Sequence, residues 1–216
     1  LAVLTQKDPQ AALRDLEEAL RIQKGLAEKK SDTQTQLAMA STHHFLGVTL
    51  GSLGHYEEAL AEFREAITLR EPVLAADERD ARTRSYLGGN YGEQGDVLLK
   101  ARKYPEALAS LRRGITLEQQ ALAVDPAVVP IRISIAVYEA RLAATYEALG
   151  NARPAAEAWR RSAALFDQLD REKHLTISDV RVEADARDAE EPAAVDVAGI
   201  HRTVCDWVRT SAKQFH

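Results

Sequence analysis

Several residue types are scarce in this sequence, and each shortage excludes something. One cysteine, Cys205, stands among 216 residues, so no disulfide can close within the chain. Aromatic residues make up 6 % and methionine occurs once. That is too little bulk for one thick core, and it favours many thin, alanine-lined helix contacts. Basic residues are outnumbered, with 28 Lys and Arg against 33 Asp and Glu and a formal net charge of −5. A nucleic-acid binder would show the opposite balance. No run of about 18 apolar residues exists, so no membrane insertion is expected. The opening LAVLTQKDPQ is too short and too soon charged for a signal peptide. A cytoplasmic location is therefore expected, and, with no initiator Met, so is a fragment or a processed chain.

Motifs of bond chemistry are missing as well. There is no HExxH, no GxSxG and no Walker-type GxxxxGK[ST]. The Gly-rich stretch Gly88, Gly89, Gly92 and Gly95 follows no strand, so close helix packing suits it better than a phosphate loop. His43 and His44 are consecutive and point to different faces of a helix. His201 and Cys205 share a face, but two ligands make no closed metal site. Cys205 has no identifiable catalytic partner. No enzyme activity, cofactor or metal is expected.

What is present is repetition. Small–large–small triplets recur at Ala12/Leu16/Ala19, Ala59/Phe63/Ala66, Ala107/Leu111/Gly114 and Ala155/Trp159/Ser162. Their last members stand 47, 48 and 48 residues apart. The spacing i, i+4, i+7 puts each triplet on one helical face, which only a neighbouring unit can cover. A second helix precedes three of them, carrying Leu46-Gly47 with Leu50, Leu87-Gly88 with Tyr91, and Leu142-Ala143 with Tyr146. Gly54 and Gly150 stand where such helices should stop. On this alignment Tyr91 is seven residues farther from Tyr104 than Leu50 is from Tyr56, so the helix before Tyr104 should be about two turns longer.

These residues resemble the tetratricopeptide repeat, in a long-period form beside the usual period of about 34 residues. The resemblance covers Pro9 to Leu169. The long period also resembles repeat regions appended to some bacterial serine/threonine kinases. The resemblance implies an all-α fold, a right-handed superhelical array of antiparallel helix pairs with C-terminal capping helices. Helices are expected at 9–29, 33–52, 56–75, 79–101, 104–124, 129–149 and 152–170. Asp8-Pro9 and Asp125-Pro126 read as cap–Pro starts. Residues 131–137 alternate like a strand, but the repeat register demands a helix with Pro130 in its first turn. Repeats should fill 1–170, an acidic segment or capping helix 171–192, and an amphipathic helix 193–216.

The resemblance also implies the work: binding a protein or peptide on the concave face, with the first helix of each pair lining it. The candidate contacts are His44, Phe45 and Val48 in one copy, Arg82, Ser85 and Tyr86 in the next, and Arg141 in the third. On the same alignment Phe45, Tyr86 and Arg141 share one repeat position. The Lys/Asn clamp that some relatives use on a C-terminal carboxylate is absent; its places fall on His44, Val48, Ser85, Gly89, Ala140 and Ala144. The C-terminal helix, through Val204, Trp207, Val208 and Phe215, either seals the last repeat or is a second interaction surface, including one between copies of the chain. The alternative function is a non-catalytic regulatory or sensory region of a larger bacterial enzyme such as a serine/threonine kinase.

Overall fold

The computed structural model describes residues 8–29 and 32–174, and every regular element among them is an α-helix. In chain order these are α1 Pro9–Lys29, α2 Thr33–Ser52, α3 Tyr56–Ala76, α4 Ala81–Lys100, α5 Tyr104–Leu122, α6 Val129–Ala148 and α7 Ala152–Arg171. Each boundary lies within two residues of the sequence expectation. The strand-like stretch 131–137 is helical, with Ile131, Ile135 and Ala136 buried; packing overrides its local β preference.

The described residues form two compact units that divide after Ala121. In the first, α2 packs against α1 and α3, and α3 against α4. In the second, α6 packs against α7. Within each unit these helices lean on a chain neighbour, as the layers of an α-solenoid do.

The repeat is more regular than the sequence alignment suggests. The first helices α2, α4 and α6 each have 20 residues and begin 48 residues apart, at Thr33, Ala81 and Val129. Their ends recur too. The chain turns left-handed at Gly54 (φ +82°), Arg102 (φ +59°) and Gly150 (φ +73°). At each turn the next amide reaches back to a helix carbonyl: His55 to Leu50 at 2.9 Å, Lys103 to Leu98 at 2.8 Å, Asn151 to Tyr146 at 2.9 Å. This is the Schellman stop, and in the middle copy an arginine occupies the position that favours glycine.

That register corrects the alignment of the second copy. The partner of Leu46-Gly47 is Gln94-Gly95, not Leu87-Gly88, and α4 carries no extra turns. The error was seven residues, close to two helical turns, so it kept the same helical face while sliding about 10 Å along the axis. Close packing fits the corrected register. A Cβ at Gly47 would lie 2.9 Å from the Phe63 ring, and one at Gly95 would lie 2.6 Å from Leu111 Cγ. A Cβ at Gly114 would lie 2.8 Å from the Gly92 amide nitrogen. The glycines of α4 thus let α5 approach to backbone contact. Phe63 and Leu111 are completely buried, while Trp159 is half-buried and donates its indole N–H to Glu147 Oε1 at 2.7 Å.

Helix starts follow their caps. The Asp8, Asp32 and Asp80 carboxylates accept from the amides of Ala11, Thr35 and Thr83 at 2.8–2.9 Å. Asp125-Pro126 does not start a helix. The Asp125 carboxylate accepts from Ala127 N at 3.0 Å in a turn, Val128 takes the cap position, and Pro130 lies in the first turn of α6.

Candidate functional site

The most unusual polar group of the first unit is Arg70, in the last turns of α3. It is 2 % exposed. Its Nη1 donates to Asn90 Oδ1 of α4 at 2.9 Å and to the Ala40 carbonyl of α2 at 3.3 Å, and its Nη2 donates to Ser41 Oγ at 2.9 Å. All three acceptors are neutral, and no carboxylate among the described residues pairs with it. Burial pulls the guanidinium pKa down to about 10, against a smaller opposing effect of Tyr86, so it stays charged at neutral pH. Arg70 Nε, Asn90 Nδ2 and His44 Nδ1 are buried without a hydrogen-bond partner.

Tyr86 of α4 lies over this buried charge. Its ring centroid is 5.4 Å from Arg70 Cζ and 5.6 Å from Arg82 Cζ, within cation–π range of both. The ring is 48 % exposed, and Arg82 is exposed one helical turn earlier. A hydrogen bond to Tyr86 raises the Arg82 pKa, with a weaker contribution from Asp80. His44 adds no charge: burial first, and then the Arg70 cation, depress its pKa to about 4, against a smaller opposing effect of the Asn90 side chain. Beside this group, Ser85 Oγ donates to Glu118 Oε2 of α5 at 2.7 Å. Glu118 is 3 % exposed. Burial raises its pKa to about 7, while the Ser85 hydrogen bond pulls the other way.

The sequence candidates therefore divide. Arg82 and Tyr86 are exposed and adjacent. Ser85 is half-buried and bound to Glu118. His44 meets Phe45 and Phe63 edge-on at 5.3 and 5.8 Å. Phe45 and Val48 are partly buried against the apolar clusters around Leu46 and Phe63. Arg141 is half-buried on α6, in the second unit. In the corrected register the counterpart of Phe45 and Arg141 is Glu93, with Tyr86 two turns earlier on the same helix; the clamp places in α4 become Gly92 and Asp96. Val204, Trp207, Val208, Phe215, His201 and Cys205 lie outside the described residues, as do 175–216 as a whole.

Sequence reasoning missed Arg70 and Asn90. A signal was present. Arg70 continues the stripe Ala59, Phe63, Ala66 by one further turn, where a charged residue is out of place, and the same position 48 residues on holds Glu118 and then Phe166. All three are buried.

Elsewhere, His43 Nδ1 lies 2.6 Å from Glu62 Oε2. An open cleft of about 530 Å³ is lined by Leu13, Leu20, Leu46 and Leu50, with Glu17, Glu58 and Glu62. Among the described residues no three metal-ligating side chains converge, and no helix is long and apolar enough to cross a membrane.

The tetratricopeptide repeat family matches residues 40–72, which lie within α2 and α3. No curated protein matches the chain. Among solved structures, the crystal structure of BtubC (BKLC) from P. vanneervenii is similar in fold, with a TM-score of 0.54 and 13 % identity, covering 97 % of this chain and 94 % of that one. With a matched repeat in α2–α3 and helix pairs of the same build after it, the chain is a tetratricopeptide-like helical-repeat protein.

Proposed function

We propose that the chain is a protein-interaction module that holds a peptide or protein segment against α2 and α4, the first helices of their pairs. Tetratricopeptide repeats generally mediate contacts between proteins, and the first helix of each pair lines their inner face. Arg82 and Tyr86 supply the exposed contacts of the first unit. The mechanism is binding, with no bond made or broken.

One observation carries this reading. A tyrosine ring stands 48 % exposed on a helix that buries Leu87, Val97 and Leu98, within cation–π range of two guanidinium groups. Rigid aromatic and arginine side chains of this kind anchor interfaces. The test is site-specific crosslinking in host cells. A photoreactive phenylalanine at position 86 should give a discrete protein adduct, and the same group at exposed Arg64 should not. The double replacement of Arg82 and Tyr86 by Ala should abolish capture of that adduct's partner. Equal labelling from both positions, or none from position 86, refutes the assignment.

A further inference from the structure

We infer that the partner segment presents a carboxylate, an acidic side chain, to the seat formed by the Tyr86 hydroxyl and the Arg82 guanidinium above buried Arg70. The inference rests on the proposed docking face and adds its chemistry.

Charge comes first. Arg70 is an elementary positive charge held only by an amide, a carbonyl, a hydroxyl and a ring. Neutral dipoles spread such a charge without cancelling it, and a buried charge is screened far less than an exposed one. Arg82 adds a second positive charge at the surface, with Asp80 opposing it only weakly. Asp80 is itself committed to the Thr83 amide as the α4 cap. His44, within electrostatic reach of Arg70, is neutral, so it neither reinforces nor cancels the field. The buried acid Glu118 is engaged by Ser85, the residue before Tyr86. A concentrated positive spot thus stands on a chain whose net charge is −5. Acidic segments are repelled by most of such a surface and drawn to this place, which fixes where they dock.

The donors specify the group. Arg82 stands beside the Tyr86 ring, 5.6 Å from Cζ to centroid, and the phenolic hydroxyl can donate its hydrogen to an acceptor placed there. One carboxylate oxygen can accept that hydrogen while the other accepts an Arg82 N–H, a paired arrangement that suits a planar acceptor. A phosphate dianion would call for more than one accessible cation, and here Arg70 is sealed and only Arg82 is open. The seat also lies apart from the family's Lys/Asn clamp, whose places hold His44, Val48, Gly92 and Asp96 in the first two copies.

The experiment measures fluorescence anisotropy of labelled hexaglutamate, hexaglutamine, and hexaglutamine carrying one phosphoserine, titrated with the whole chain. Hexaglutamate should bind, and hexaglutamine should bind about tenfold more weakly or not at all. Arg82→Gln and Tyr86→Phe should each weaken hexaglutamate by about tenfold, whereas Arg64→Gln should leave it unchanged. Both tested side chains are exposed, so melting curves of the variants should overlay that of the parent. Equal affinity for the acidic and neutral peptides, no binding of hexaglutamate, an equal loss in Arg64→Gln, or preference for the phosphoserine peptide each overturns the carboxylate assignment. If crosslinking from position 86 persists in that event, the docking face stands and its chemistry alone is wrong.

Discussion

Replacing Glu118 by Gln exposes how the fold treats a carboxyl group with no cation beside it. Glu118 is 3 % exposed, and its polar contact is the Ser85 hydroxyl at 2.7 Å. Burial lifts its pKa from 4.5 to about 7, so the folded protein holds this proton more tightly than the unfolded chain does. Between those two values the folded state binds more protons, and stability falls as pH rises. The gap between 4.5 and about 7, at about 1.4 kcal/mol per unit, amounts to roughly 3 kcal/mol once the group is fully ionised. Glutamine keeps the shape and still accepts from Ser85, but it cannot ionise. The stability difference between E118Q and the parent should therefore be least near pH 4 and grow by roughly 3 kcal/mol by about pH 8.

Taking the difference matters because His44 works the other way. Its folded pKa is depressed from 6.5 to about 4, so it destabilises the fold as pH drops through that interval. In the parent the two slopes oppose each other over the shared range and flatten the profile. Both proteins contain His44, so its effect cancels in the difference. The assay is urea unfolding followed by circular dichroism at several pH values between about 4 and 8. A difference that stays flat across that range, or is greatest at low pH, refutes the idea that burial sets the Glu118 proton affinity.

Two other perturbations test the packing and the repeat register. Arg102→Gly should stabilise the chain by about 1 kcal/mol in thermal or chemical unfolding, because Arg102 holds φ +59° at the stop of α4 where its counterparts are Gly54 and Gly150; a loss of stability would mean that the arginine side chain outweighs the backbone cost. Gly114→Ala should destabilise by about 1–3 kcal/mol, since the new methyl group would meet the Gly92 backbone at 2.8 Å and force α4 and α5 apart. Gly25→Ala is its control in the same unfolding assay, because a Cβ there meets nothing within 4 Å.

Helix positions, the solenoid class and the buried triplets around Phe63 and Leu111 were readable from the sequence. Local physics sets them: apolar stripes at helical spacing, aspartate caps and glycine stops act over a few residues, and those residues are contiguous in the chain. The true register was readable too. Asp32/Asp80, Thr35/Thr83 and Gly47/Gly95 all recur at 48. It was obscured because Leu87-Gly88-Tyr91 imitates the repeat motif seven residues early, and two turns leave a helix face unchanged. The absent glycine at Arg102 removed the punctuation that would have settled it.

The site itself needed tertiary structure. From sequence alone Phe45, Tyr86 and Arg141 look equivalent, yet the packing of α1 on α2 half-buries Phe45 while Tyr86 is left exposed. Arg70 is separated from Ser41 by 29 residues and from Asn90 by 20. Nothing in those intervals marks them as neighbours until α3 is laid between α2 and α4. Burial, and with it the shifts of Arg70, His44 and Glu118, is a property of what covers a side chain. In a helical array that cover comes from other helices, so proton affinity and exposed charge were decided in three dimensions.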